Sequence, residues 1–530
     1  MSRNSGALAA TLGGGVIAAL LCGLLGRLAT GFPPALVESW LISAPAPLHP
    51  FIEELGNGFS PDRNPDDMPT AAFLAIQIAL WGVMWFTGWQ VLRQPDSRGG
   101  LLAILGFALL FRLLLLPTTP IHSSAAFRYL WDGATTAHGI NPYLYEPAVF
   151  MMRDRHMEKP TEIDGRIYRG RTWSATDEER IDRLSALRDQ NPGLHDAITD
   201  ANLPSSHPPL AQAFFALASL LSISSLTGLK TIVVVFDLGV IVLLLRLLRR
   251  LRLRRGGVIF YAWSPIVLVS FANAGHWESV PLFFFLWALT LAMRRKAWAG
   301  TVILALAGGN QTGWLAQAPV LFRPSWRHLG NWAVLTLLIA VAFLPFIWWQ
   351  NAGWAPIGNG LRWLESAEPS LPGVFLAVQT GCGAIVSSAN DNRLLALIVC
   401  GFLFLCFFVW NLLQSAPDHY RLLRKSFALA ASLFILSPGA SPWQFVWIIP
   451  FLCVFPKPSW IILMLTIHAS FLQFHTDYAD FTSPAGFIPW LHLAVWGSFF
   501  LLCVLDPLLL RLLDRPVSAS GQDSSPALPS

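Results

Sequence analysis

Charge is what this sequence has least of. Only 13% of its 530 residues are Asp, Glu, Lys or Arg, about half the roughly 25% of a soluble globular protein. With 54% apolar residues and a mean hydropathy of +0.52, that scarcity excludes a cytosolic enzyme, a nucleic-acid-binding domain and a disordered scaffold. Cysteine is sparse too. The six (Cys22, Cys382, Cys400, Cys406, Cys453, Cys503) sit in or beside apolar segments without paired loop spacing, which indicates neither a disulfide framework nor a zinc site. No recognised metal-ligand spacing occurs, and nothing suggests a nucleotide-sugar domain or a redox cofactor. No internal repeat is evident, which disfavours the inverted-repeat transporter architectures.

What is abundant is apolar chain in runs long enough to cross a hydrocarbon core of ~30 Å as helices. The sequence therefore reads as an all-α polytopic membrane protein with about eleven to thirteen transmembrane or half-spanning helices and one large loop. Residues 1–117 form N-terminal transmembrane helices, 118–208 the loop, 209–513 a transmembrane bundle with broken helices, and 514–530 a disordered tail rich in Ser and Pro.

Orientation follows the basic residues, which mark cytoplasmic ends. A first span runs from about Ala7 to Leu28, a second over 70–92 and a third over 100–117, with Arg93 and Arg98 between the last two. The N-terminus is accordingly cytoplasmic and segment 118–208 external, at the plasma (inner) membrane. The net charge of +5 owes much to six arginines between Arg246 and Arg255, read as a topology signal rather than a site for anionic lipid or nucleic acid. Spans at 230–247, 257–273 and 279–293 are punctuated by that run and by Arg294, Arg295 and Lys296, so the turn Ala274–Ser279 is external. Segment 210–226 conflicts with this if it crosses fully, because the loop and the turn would then lie on opposite faces; a short or re-entrant helix is expected there. Residues 299–322 are interrupted by Gly308, Gly309, Asn310 and Gln311, and 426–455 by SPGASPW. Such breaks are tolerated in a bilayer only where protein or water satisfies the backbone, which implies an internal cavity.

The scarce charge is unevenly placed. Segment 118–208 holds 13 of the 31 acidic residues and five of the 12 histidines. Within it, Phe127-Arg128-Tyr129-Leu130-Trp131-Asp132-Gly133 leads into Gly139-Ile140-Asn141-Pro142-Tyr143-Leu144-Tyr145-Glu146. The first stretch suits a helix on the membrane surface with Trp131 as interfacial anchor; Gly139 stops it and Asn-Pro turns the chain.

The string RYLWDGATTAHGINPYLYEP resembles the first external loop of GT-C membrane glycosyltransferases, especially the prokaryotic polyprenyl-phosphate-dependent mannosyltransferase-like group. Three further segments resemble that family in the same order. His207-Pro208-Pro209-Leu210 is similar to the Tyr/His-Pro-Pro-Leu after the loop. Tyr261-Ala262-Trp263-Ser264-Pro265 followed by Gly275-His276-Trp277-Glu278 is similar to its Trp-Asn-Pro and Gly-His-Asn-Asp pair. Ser437-Pro438 through Ser441-Pro442-Trp443 is similar to its late Ser-Pro…His-Pro-Trp turn. The resemblance implies an inverting hexosyltransferase that moves a sugar, mannose as first assignment, from a polyprenyl-phosphate donor to a glycan or lipid-linked acceptor on the external face. It implies membrane lipid, lipid-linked sugar and a glycan or glycolipid acceptor as partners, no nucleic acid, and no metal or other cofactor.

In that family an acidic residue early in the loop is the general base; here those positions read Ser123-Ser124-Ala125-Ala126. A Lys expected in the broken helix is replaced by Asn310 or Gln311, and the His before Pro-Trp by Ser441. The catalytic candidates are therefore Asp132, which could equally pair with Arg128 one helical turn away, Glu146, whose place after the Asn-Pro-Tyr turn favours a solvated loop residue, and Glu278. The substrate-binding candidates are Arg128, Tyr129, Trp131, Asn141, Tyr143, His207, His276, Trp277, Arg362 and Trp443. His207 suits phosphate or proton donation or a plain interfacial position. His276 and Glu278 sit between spans, where polar groups are functional by default. Arg362 suits phosphate or a surface pair with Glu365 or Glu368, and Trp131, Trp277 and Trp443 suit sugar stacking. Two rival functions stay in view. The missing acids suit a non-catalytic relative that binds lipid-linked sugar. The broken helices and Asp237, inside a span where it could pair with Arg112, suit a lipid or sugar transporter.

Overall fold

The computed structural model describes residues 3–30, 70–121, 123–163, 166–198, 200–222, 226–321, 329–366, 373–386, 388–414, 418–439, 441–474 and 491–513, with a few isolated positions besides. The 514–530 tail and Glu368 lie outside the described residues, as does most of 31–69. Helix dominates. In chain order the elements needed below are α1 (Arg3–Thr30), α2 (Thr70–Leu92), α3 (Arg98–Leu115), α4 (Ala125–Ala137), the antiparallel pair β1 (Thr161–Ile163) and β2 (Arg166–Tyr168), α5 (Ala175–Gln190), α6 (Pro209–Ser222), α7 (Leu226–Arg250), α8 (Ser279–Met293), α9 (Ala297–Asn310), α10 (Leu329–Trp348), α11 (Ala355–Ser366), α12 (Ala389–Leu413) and α13 (His419–Leu436).

Among the described residues, six helices are long and apolar enough to cross a bilayer. A further pair, Arg255–Ala262 and Pro265–Asn273, makes one span bent by 52°, and six apolar helices are shorter. This is an all-α polytopic membrane protein, and its mixture of whole and partial spans follows the sequence expectation. The bend has a local cause. Pro265 opens the second half, lacks an N–H and cannot continue the ladder. Beyond it, Leu268–Asn273 adopts π-helical turns, a widening that recurs beside functional sites.

Cross-bonds sort the helix ends into two sets. At the arginine-rich end, Asp96 accepts from the backbone of Arg255 and Gly256, and Arg250 donates to the Met293 carbonyl. At the opposite end, which carries segment 118–208, Asn273 donates to Thr118 Oγ1 and the Thr119 carbonyl at 2.8 Å and accepts from Ile121 N–H at 2.9 Å. The start of the loop and the turn 274–278 therefore lie together. Helix α6, with 14 residues, rises only about 21 Å, less than a crossing. Its first turn follows His207, packed on Tyr129. The next helix, α7, also begins at the loop end, where Lys230 donates to the Leu115 and Thr118 carbonyls. Helices α6 and α7 thus both begin on the loop side, and α6 is too short to cross, in keeping with the expected short or re-entrant helix.

Among the described residues one apolar core unites most of the spans, a separate cluster joins Ala396 and Cys400 of α12 to Phe375 and Cys382, and the loop has clusters of its own, the larger of which involves α4. Helix α4 serves both the main core and that loop cluster. Ala126, Tyr129 and Leu130 face the bundle, while Trp131 and Ala134 join Ile181, Leu184 and Leu187 of α5. Its contact with α6 is intimate: a Cβ on Gly133 would stand 2.1 Å from the Phe215 carbonyl oxygen, so only glycine fits.

The buried acid of α7 is accounted for. Asp237 takes Arg112 Nε at 2.5 Å and Nη2 at 3.3 Å, and accepts the Tyr261 hydroxyl at 2.9 Å. Arg112 also donates to the Ala108 and Ala262 carbonyls. A buried pair with its remaining hydrogen bonds filled is a tolerable arrangement in a low-dielectric interior.

Candidate functional site

The four segments picked out in the sequence converge at the loop end. From α4, Tyr129 stacks on Phe215 (4.7 Å, 9°) and meets the edge of His207 at 4.9 Å. Phe215 also meets Trp277 at 4.9 Å. The neighbouring His276 stacks on Trp443 (4.6 Å, 13°), which brings in the late Ser-Pro-Trp turn. The turn itself depends on Gly275, whose φ of +70° is strained for any residue with a side chain.

Beside this junction is a cavity of about 890 Å³, at the upper end of the range for small-molecule sites. Its polar end is formed by Ser206, His207, Trp277, Glu278, Asn310, Gln311 and Thr312. Its apolar wall is a stripe of α10, Thr336, Ile339, Ala340, Phe343, Leu344 and Ile347, spaced to lie on one helical face. The rim is Trp354 and, from α11, Ile357, Gly360 and Leu361. The break after α9 is thus a functional wall: Gln311 leaves the helix with extended φ/ψ, and Asn310 Oδ1 accepts Trp277 Nε1–H at 3.1 Å, fixing the indole at the cavity edge.

Glu278 is the one carboxylate among the described residues lining the cavity. Among the described residues its Oε2 is buried without a hydrogen-bond partner. Burial pushes its carboxyl up to about 7, with only its own backbone N–H pulling it down. His207, also on the cavity, is held down to about 4 by burial and by the Arg128 charge, so its imidazole is neutral at physiological pH. The Tyr129 phenol is pushed well above its usual range, first by burial and then by the charge of Glu278.

The other acidic candidates are placed differently. Asp132 is buried, paired with Arg128 Nε at 2.9 Å, and does not line the cavity. Its carboxyl is raised by burial and drawn back by Arg128, Ser205 and Gln212. Arg128 is consumed in turn, donating to the Asp200 and Leu203 carbonyls. Glu146 is not a solvated loop residue. It is 5% exposed and paired with Arg171 at 3.2 Å, because Arg171 is itself held against Tyr145 and Trp173. Its carboxyl is raised by burial and opposed by the charges of Arg171, Arg362 and Arg128.

Several binding candidates turn out to be internal. Trp131 is 3% exposed and packs on Phe150 and His195; the loop's own core claims it, so it neither anchors at the interface nor offers a face to sugar. Asn141 and Tyr143 are buried. Asn141 donates to the Phe346 and Trp349 carbonyls, and the Tyr143 hydroxyl donates to the His207 carbonyl at 2.5 Å, so they position the site without lining it. His276 is hydrogen-bonded to Ser123 Oγ at 3.2 Å, at the position where the resembled family carries acid, and its stacking covers one face of Trp443. Burial and the neighbouring His207 hold His276 down to about 3. Arg362 sits on α11 one residue past the cavity-lining Leu361.

The α10 stripe and the two amides Gln350 and Asn359 belong to the site without lying in any of the family-like segments. Asn359 donates to the Tyr143 and Ser205 carbonyls. The signal for Gln350 was the run Trp348-Trp349-Gln350-Asn351-Ala352-Gly353, polar residues at the end of a span. Among the described residues no group of three or more His, Cys, Asp or Glu could hold a metal ion. No protein-family model, curated protein or solved structure matches the chain.

Proposed function

We propose that this protein is an integral membrane glycosyltransferase that moves a sugar, mannose as first assignment, from a polyprenyl-phosphate donor to a glycan or lipid-linked acceptor at the loop face, taken to be the external one, with Glu278 as general base. The observation that carries this reading is Glu278 in the cavity lining, a carboxylate whose buried Oε2 has no hydrogen-bond partner among the described residues, beside a neutral histidine and a fixed indole. A carboxyl poised near neutrality is matched to proton transfer at physiological pH.

The step balances without a cofactor. The ionised carboxylate takes the acceptor hydroxyl proton as that oxygen bonds to the anomeric carbon. The bond from that carbon to the phosphate oxygen breaks, and its electron pair leaves with the polyprenyl phosphate; attack from the opposite face inverts the centre. Glu278 thereby fills the role that Ser123 and Ser124 cannot. Arg362, beyond the rim, is suited to the phosphate. The convergence of four family-like segments at one end supports the same reading. The transporter alternative loses one of its two arguments, since Asp237 is held by Arg112 and Tyr261.

The experiment is transfer from a radiolabelled polyprenyl-phosphate sugar by the purified full-length protein in lipid. Transfer to a membrane acceptor supports the proposal. No transfer to any acceptor by folded protein leaves the non-catalytic relative, favoured by the serine at the usual base position.

A further inference from the structure

The charges around the cavity are partitioned in a way the transferase reading does not require. Among the described residues no lysine or arginine lines it, and Glu278, the one carboxylate among them, has no cationic partner. A phosphate placed beside Glu278 would meet like charge in a low-dielectric site with no cation to offset it. The other polar groups, Ser206, His207, Gln311 and Thr312, are neutral hydrogen-bonding groups of the kind that hold sugar or glycerol hydroxyls. Three arginines outside the described lining, Arg171, Arg362 and Arg128, act instead on the buried Glu146.

The apolar part is equally specific. Helix α10 is peripheral: Leu337 and Val341 face outward, 60% and 56% exposed, while the opposite stripe walls the cavity. One helix therefore separates the cavity from hydrocarbon. At the rim Trp354 and Leu361 are 74% and 61% exposed, as on a helix lying at the bilayer interface. A chain reaching the polar end past this rim stays against apolar side chains throughout.

We propose that the cavity is the acceptor site and takes an uncharged, hydroxyl-bearing lipid headgroup with its apolar chain along α10, the donor phosphate lying outside towards Arg362. This rests on the transferase reading and adds to it which substrate fills which space. The neutral occupant places its hydroxyl beside Glu278, where an ionised carboxylate is an asset. It also separates the two lipids, so that neither must leave for the other to bind.

The test is lipid binding by the full-length protein in nanodiscs, read by native mass spectrometry, with a monoglycosyl diacylglycerol and a polyprenyl monophosphate as probes. Ala340→Trp fills the cavity from α10; it is expected to weaken glycolipid binding at least about tenfold and leave the polyprenyl monophosphate unchanged, which also reports an intact fold. Arg362→Ala should do the reverse, and Glu278→Gln should leave glycolipid binding within about twofold. Loss of the polyprenyl monophosphate in Ala340→Trp with glycolipid retained, tightening of that anionic lipid in Glu278→Gln, or no glycolipid binding to the unsubstituted protein would each overturn the proposal. Neither readout needs turnover. Protein that binds both lipids as described and never transfers sugar refutes the transferase reading alone; transfer with the cavity holding the anionic lipid refutes this inference alone.

Discussion

Asn141 and Gln350, 209 positions apart, hold each other across the join between loop and membrane: the Asn141 N–H donates to Gln350 Oε1 at 3.0 Å, and Gln350 Nε2 returns a bond to the Gly139 carbonyl at 2.8 Å. Gln350 makes this reach from a left-handed conformation with φ of 57°, a costly backbone state that persists where its surroundings over-determine it. Asn141 adds two bonds to the end of α10. The clamp fixes α10, the cavity's apolar wall, to the loop that supplies His207.

Removing the Asn141 side chain's two bonds to the end of α10 should therefore damage the site without touching it. Asn141→Ala leaves carbonyls at the end of α10 without their donor, at about 1–3 kcal/mol each where they are buried. The expected result is a lower thermal midpoint and faster proteolysis within 118–208, with transfer falling at least about tenfold. Limited proteolysis and the thermal midpoint measured on the same preparation check this; an unchanged cleavage pattern would contradict it.

Asp132 and Arg128 should behave as a structural pair. Asp132→Asn strands a buried guanidinium, costing about 3–5 kcal/mol, so it lowers activity by lowering the folded fraction. The double variant Asp132→Leu with Arg128→Met removes both charges and should recover most of the stability and transfer. Recovery of stability without transfer would return Asp132 to the chemistry.

Glu278 should trade stability for function. Its folded-state value near 7 lies above the ordinary 4.5, so the native state favours the protonated form. The fold is least penalised below about pH 4.5 and loses stability as pH rises through about 7, by roughly 1–3 kcal/mol in all. Glu278→Gln removes that penalty: it should raise the thermal midpoint at about pH 8 and leave it unchanged near pH 4.5. A midpoint lowered at both values would mean the carboxylate has a partner after all.

The fold was largely legible because its signals are local. Apolar run length and arginine position marked the spans, the short run before Thr227 marked a helix too short to cross, and the Gly308–Gln311 break marked a cavity wall. The site was legible as a set of segments more than as roles. Spacing on α4 put Arg128 and Asp132 on one face and so foresaw their pair, but could not weigh it against catalysis, because that depends on carbonyls at 200 and 203. Trp131 read as an interfacial anchor, since nothing local reveals that α5 covers it. Glu146 read as solvated because Arg171, which buries it, comes 25 residues later. Gln350 and Asn359 carry no motif; their importance lies in long-range bonds to backbone atoms, which a single sequence does not encode locally.

The account stands or falls on Glu278, and the most direct test is the rate of sugar transfer from a radiolabelled polyprenyl-phosphate donor, measured from about pH 5 to about pH 9 for the unsubstituted protein and for Glu278→Gln. The base form of a carboxyl poised near 7 grows as pH rises, so the unsubstituted rate should climb through a limb near pH 7 and level off above it. Glu278→Gln should run at least about a hundredfold slower with that limb gone. A Glu278→Gln protein that transfers at the unsubstituted rate, or keeps the same limb, would contradict the account.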